Sequence, residues 1–144
     1  MTTPTSTAML SIPDLRAAIA GRVITPDDPD YDAVRRVSLG SFDDRPAVIV
    51  RVANAADVAT AIATSRATGL ELAVRCGGHS AAGHSTVDGG LVIEVSGMKA
   101  LDIDVDGRTA WAEAGLTAGE YTTATGAHGL ATGFGDTGSV GVAG

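Results

Sequence analysis

The segment Arg75-Cys76-Gly77-Gly78-His79-Ser80 follows a strand-like run and opens a glycine-rich loop. An imidazole can act as a nucleophile or as a polar anchor. The two glycines before it let the backbone come close to a bulky or charged group. They also admit the dihedral angles of an anion-binding nest. Successive N–H groups at Gly77, Gly78, His79 and Ser80 would suit a diphosphate. The competing reading is a tight turn with a hydrogen-bonded histidine. Ser80, Gly83 and a second glycine-rich run favour a cofactor cradle.

That second run, residues 133–144, reads GFGDTGSVGVAG and contains a literal G-x-G-x-x-G at 133–138. The dinucleotide fingerprint needs a strand before it and a helix after it. Here a helix precedes and more glycine follows, so a nicotinamide-type Rossmann site is rejected. Two glycine-rich loops in one small domain are better explained by one extended ligand. Cys76, His79, His84 and His128 offer the metal-compatible spacing C-x-x-H. No second cysteine pair exists to complete a zinc site, so no metal is expected. Cys76 lacks the partners of a nucleophilic thiol and reads as a small residue in the loop wall.

Positioning these loops falls to a strand at 47–52 (AVIVRV), a helix opened by Asn54 and Asp57 and ended by Gly69, and a strand at 70–75. Strand, helix and strand with short links make a βαβ unit, so the two strands are expected to be parallel. Leu91 to Val95 is a further strand. Leu101, Ile103 and Val105 alternate with Asp102, Asp104 and Asp106, which predicts a half-exposed strand with a solvated acidic face. Asp106-Gly107 predicts a hairpin, with Arg108 to Ala114 as the returning strand. Thr117 and Glu120 form a capping box for a helix to about His128, with Gly129 as terminator. Upstream, 13–20 is a short helix with Ser11 or Ile12 at its cap, and Tyr31 to Val37 one more turn. Residues 1–10 are expected to be a loose tail. The fold class is α+β, a parallel βαβ unit joined to an antiparallel sheet.

The chain has 144 residues, 44% hydrophobic and 19% charged, enough for one domain with a true core. With one Trp, two Tyr and two Phe, that core must be Ala, Val, Leu and Ile. A net charge of −7, with Lys99 the only lysine, argues against nucleic acid. No basic amphipathic helix, transmembrane-length run or secretory signal is present, so a soluble cytoplasmic protein is the expectation. One cysteine excludes an internal disulfide. The glycine-rich ending, with no closing helix or strand, predicts the front part of a longer protein.

The run from Arg45-Pro46-Ala47 through NAADVATAIATSRATGLELAVRCGGHSAAGHS resembles the FAD-binding domain of berberine-bridge-enzyme-like oxidoreductases. These belong to the vanillyl-alcohol-oxidase/p-cresol-methylhydroxylase (PCMH) flavoprotein group. The resemblance spans roughly 12–144, and the V-G-x-x-G ending supports it independently. It implies a PCMH-type FAD-binding domain over 42–144 after a lead-in over 1–41. It also implies flavin contacts from Arg75, Cys76, Gly77, Gly78, His79, Ser80, Gly83, Thr137, Gly138, Ser139, Val140 and Gly141. In this family the histidine of G-G-H commonly bonds the flavin 8α-methyl, a role that maps onto His79. Many members add a second link through a cysteine whose place Thr137 takes. Threonine cannot form a thioether, so a single covalent link through His79 is expected. Further expectations are a small-molecule substrate (an alcohol, carbohydrate or secondary metabolite), hydride transfer to flavin N5 and reoxidation by molecular oxygen. The resemblance assigns no catalytic base within this chain. The alternative is a truncated or non-enzymatic flavin module without turnover of its own.

Overall fold

The computed structural model describes residues 8–143. Most of the expected tail, and Gly144, lie outside the described residues. In chain order the elements are α1 (Ile12–Ala18), β1 (Arg22–Ile24), α2 (Tyr31–Val34), β2 (Val48–Arg51), α3 (Ala55–Thr68), β3 (Leu72–Arg75), β4 (Leu91–Glu94), β5 (Leu101–Asp104), β6 (Thr109–Ala112) and α4 (Ala118–Gly126). The architecture is α+β.

Four strands form one sheet in the order β1-β2-β4-β3, and β5-β6 form a separate antiparallel hairpin. β2 and β3 do run parallel, but they do not touch. β4 enters between them, parallel to both. The reason lies in composition: among the described strands β4 alone is buried at all four positions, which suits the centre of a sheet. β1 joins the other edge antiparallel to β2. Residues 1–41, read as a lead-in, thus contribute two helices and an edge strand to the same sheet. Three residues of β1 are too few to show a period in sequence.

Strand residues alternate between two cores, as the pleat requires. Val48, Val50, Leu91 and Ile93 pack with Leu15, Ile19 and Ala61 beneath α1 and α3. Ile49, Val92 and Ala73 pack with Ile24 and Tyr31 on the other face. The buried Tyr31 hydroxyl donates to the Pro46 carbonyl at 2.6 Å.

α3 starts as its sequence predicts, with Asn54 Oδ1 accepting the Asp57 N–H at 3.0 Å. Gly69 ends it at φ +70°. Asp57, however, does not close a capping box on Asn54. Its carboxylate accepts the N–H groups of Ala53, Ala20 and Gly21, each at 2.9 Å, and so pins the α1–β1 corner to α3. Burial alone would push this carboxyl up, but the three N–H donors more than offset it and hold it below the ordinary Asp value.

Because its folded pKa is depressed, the Asp57 contribution is complete above the unfolded value of about 3.9 and is lost as pH falls through the folded one. The protein should hold a flat Tm from neutral pH to about pH 5 and lose stability below about pH 4. Asp57→Ala should cost on the order of 3 kcal/mol, since it orphans charge-assisted hydrogen bonds. Chemical denaturation of both proteins across this pH range checks it; an unchanged midpoint in Asp57→Ala would remove the corner-pinning role.

The β5-β6 hairpin forms, with Thr109 and Trp111 outward and Ala110 and Ala112 on the partly buried face. Its turn is not a two-residue Asp106-Gly107 turn. It spans four residues, 105–108, and the left-handed residue is Arg108 at φ +52°. Asp104 Oδ1 accepts the Gly107 N–H at 2.9 Å and so replaces the tighter turn. α4 carries the complete Thr117/Glu120 capping box and stops at Gly126, with Gly129 at φ +68° three residues on.

Candidate functional site

β2, β4 and β3 end in register on Arg51, Glu94 and Arg75. Glu94 bonds the Arg51 guanidinium through Oε2 and accepts the Ser96 N–H at 2.9 Å through Oε1. Burial pushes the Glu94 carboxyl up, but Arg51 and Ser96 prevail and leave it below its usual range. Arg75 is 5% exposed and donates to the Arg35 carbonyl at 3.1 Å. Burial pulls its guanidinium below its ordinary value, with Glu94 opposing. Two arginines against one glutamate leave excess positive charge at the carboxyl ends of parallel strands, where open α/β sheets place their ligands. Neither Arg51 nor Glu94 stands out in the sequence, because only the strand register brings them together.

The glycine loop springs from this edge. Gly78 sits at φ +70°, and a Cβ there would lie 3.5 Å from both Arg75 Cδ and Val37 Cα. A second missed group braces the loop from behind: the Ser38 N–H donates to the Gly78 carbonyl at 3.0 Å and Ser38 Oγ to the Gly77 carbonyl at 3.2 Å. Arg35, 9% exposed, holds this segment by bonding Asp32 and Asp43. The carbonyls thus face inward. Among the described residues, no backbone carbonyl accepts the N–H groups of Gly78, His79 or Ser80.

The two glycine-rich loops meet directly. A Cβ on Gly77 would fall 2.5 Å from the Ser139 carbonyl oxygen, and one on Gly141 would fall 2.4 Å from Cys76 Sγ. The second loop is fixed to the start of α4 and the segment before it. Gly119 N–H donates to the Gly138 carbonyl, Ala118 N–H to Val140 and Val142 N–H to Leu116, all at 2.8–2.9 Å. Cys76 Sγ lies 3.6 Å from the Leu116 carbonyl, and burial pushes its thiol up, which suits a wall rather than a nucleophile.

Between the loops lies a cleft of about 450 Å³. Cys76, Gly77, Gly78, His79 and Ser80 line one side and Val140 and Gly141 the other. Val74, Val95 and Ala114 supply an apolar wall that sequence reasoning missed. Val74 is 57% exposed on an edge strand, and that outward apolar position was the available signal. His79 Nε2 lies 3.0 Å from Ser139 Oγ, which in turn lies 3.3 Å from Thr137 Oγ1. Five of the expected residues, Arg75, Gly83, Thr137, Gly138 and Ser139, do not line the cleft. Arg75 points behind the loop, Gly138 packs on Gly119, and Gly83 sits under the Phe42 ring. Thr137 reaches His79 only through Ser139. Of the other histidines, His84 donates its backbone N–H to Ser80 Oγ and His128 is exposed beyond α4. Among the described residues no three His, Cys, Asp or Glu side chains converge on a metal position.

The donor set suits a flavin nucleotide: free loop amides over a positive strand edge for phosphates, an apolar wall for a ring, and an imidazole between them. The comparisons agree. A family profile described as FAD binding domain matches residues 46–144. (R)-6-hydroxynicotine oxidase of Paenarthrobacter nicotinovorans is 37% identical over 114 residues, 79% of this chain and 25% of that protein. Berberine bridge enzyme-like C-1 of Nicotiana tabacum is 34% identical over 65% of this chain and 18% of its own length. The crystal structure of 6-hydroxy-D-nicotine oxidase from Arthrobacter nicotinovorans superimposes with a TM-score of 0.83 at 36% identity, over 85% of this chain and 27% of that one. The chain therefore belongs to the FAD-binding-domain family, among the berberine-bridge-enzyme-like flavoproteins of the vanillyl-alcohol-oxidase/PCMH group. It spans 18–27% of the length of these relatives.

Proposed function

We propose that this chain is the flavin-holding portion of an FAD-dependent oxidoreductase, with the cofactor tethered through His79 alone. The observation that carries this reading is His79 standing on a cleft between two interlocked glycine loops at the carboxyl edge of parallel strands. The N–H groups of Gly78, His79 and Ser80 would take the diphosphate, with Arg75 beneath them as an electrostatic support. Val74, Val95 and Ala114 would lie against apolar parts of the cofactor and exclude water.

Bound flavin supplies the two-electron chemistry, accepting hydride at N5 from an alcohol, carbohydrate or secondary metabolite. Molecular oxygen is the proposed electron acceptor. The name of the hydroxynicotine oxidase supports an oxidase, and two solved variants of Phl p 4 are described as a glucose oxidase and a glucose dehydrogenase. A bond from the His79 imidazole to the flavin would withdraw electrons and so raise the readiness to accept hydride. Thr137 cannot add a second tether, which supports a more open site.

The test is anaerobic mixing of the yellow protein with a panel of alcohols, sugars and hydroxylated amines, followed by air. Bleaching by one class and recovery on aeration are expected. Bleaching that recovers only with an artificial acceptor would replace oxidase by dehydrogenase. A purified protein with no flavin absorbance, before or after incubation with FAD, would overturn the assignment.

A further inference from the structure

We infer that Ser139 is the positioning residue for His79, and that Thr137 completes a hydroxyl chain fixing which ring nitrogen is free to react. The inference rests on the flavin reading above for its purpose, but its geometry stands on this chain alone. His79 Nε2, Ser139 Oγ and Thr137 Oγ1 are linked at 3.0 and 3.3 Å.

A neutral imidazole carries one N–H and one lone pair, and only the nitrogen with the lone pair can form a new bond. The hydrogen bond at one nitrogen sets the state of the other. Nε2 is engaged by Ser139, so the reactive nitrogen is Nδ1, and its lone pair requires the proton on Nε2. That pair would form the N–C bond as the 8α-methyl gives up a C–H proton and the ring takes the two electrons, which molecular oxygen, the proposed acceptor, would then remove. The chain then has one direction: Nε2–H donates to Ser139 Oγ, and the Ser139 hydroxyl donates to Thr137 Oγ1. Thr137 is a competent terminal acceptor, so threonine here acts through the hydroxyl chain.

The scaffold gives this arrangement rigidity. Ser139 lies between Gly138 and Val140, whose carbonyls take the first two N–H groups of α4. On the other side, the absent Cβ of Gly77 lets the Ser139 backbone and the His79 ring close up; an added Cβ would stand 2.5 Å from one and 3.1 Å from the other. Loop and ring therefore have little freedom to separate.

The experiment labels the flavin-free protein with [15N]histidine and reads the His79 ring shifts, with His84→Gln and His128→Gln used for assignment. In parallel, FAD is added and acid-precipitable flavin is followed with time. The wild type should show the proton on Nε2. Ser139→Ala should mix the two tautomers and slow incorporation about tenfold, the scale expected for a misdirected reacting group. Ser139→Thr should restore both readouts, and Thr137→Val should shift them in the same direction but less. Circular dichroism should report an unchanged fold in each variant. A wild-type proton on Nδ1, or Ser139→Ala with unchanged shifts and an incorporation rate within about twofold of the wild type, overturns the inference. If the wild type takes up no covalent flavin, the functional proposal fails while the ring shifts still decide the role of Ser139.

Discussion

His79→Ala should bind FAD and lose all of it on acid precipitation. The other side chains with a nucleophilic atom on the described cleft are the Ser80 and Ser85 hydroxyls, weak nucleophiles at neutral pH, and the Cys76 thiol, which burial pushes up beside the Leu116 carbonyl. None of them should form a stable bond to the ring. The substitution should leave the fold intact. His79 is only half-buried, and its one recorded side-chain bond is to Ser139, so the change in stability should stay within about 1 kcal/mol. The proposed diphosphate contacts come from backbone amides, which alanine keeps. The variant should thus show a yellow native protein and a colourless denatured pellet, with a Tm close to the wild type. Losing the electron-withdrawing bond should also lower the flavin potential, read by dye-coupled reduction. Flavin that stays with the acid pellet of His79→Ala would remove the tether from this residue.

Gly141→Ala should be more damaging, although it adds only one carbon. The new Cβ would meet Cys76 Sγ at 2.4 Å, Cys76 Cβ at 2.5 Å and the Gly77 amide nitrogen at 3.1 Å. Both neighbours are held: Gly77 by Ser38 behind it, Cys76 by the end of β3. The two loops must move apart, at a cost of about 1–3 kcal/mol for overpacking. Parting the loops opens the cleft and displaces His79 from Ser139. Flavin affinity should fall about a hundredfold, in keeping with the effect of ångström-scale misplacement. Cys76→Gly in the same protein removes the two worst clashes and should restore most of the affinity. Fluorescence titration of the flavin-free proteins measures all three. A Gly141→Ala protein that binds like the wild type would mean the loops are not interlocked in solution.

The local elements were legible where chemistry is local. Asn54, Gly69 and the Thr117/Glu120 box each announce a helix end through a side-chain cap or a left-handed glycine, and each acts at its expected place. The glycine loop and His79 were legible because Ser80, Gly83 and the second glycine-rich run shifted a motif that otherwise reads as a tight turn toward a cofactor cradle. What stayed hidden depends on distance along the chain. Asp57 looks like a capping residue, yet it spans back over 30 residues to Ala20 and Gly21. Arg51, Glu94 and Arg75 are ordinary strand ends until the order β2-β4-β3 aligns them. Ser38 and Arg35 brace the loop from a turn region that carries no periodic signal. The insertion of β4 between β2 and β3 is likewise a choice made by burial on both faces, not by spacing.

The central claim is that one imidazole, held between two glycine loops, carries the flavin. The most direct measurement is intact mass under denaturing conditions after incubation with FAD, followed by peptide mapping. The account predicts a mass increase of one FAD, located on the peptide that contains His79. An unmodified polypeptide mass, or FAD found on Cys76 or on the peptide containing Thr137, would contradict it.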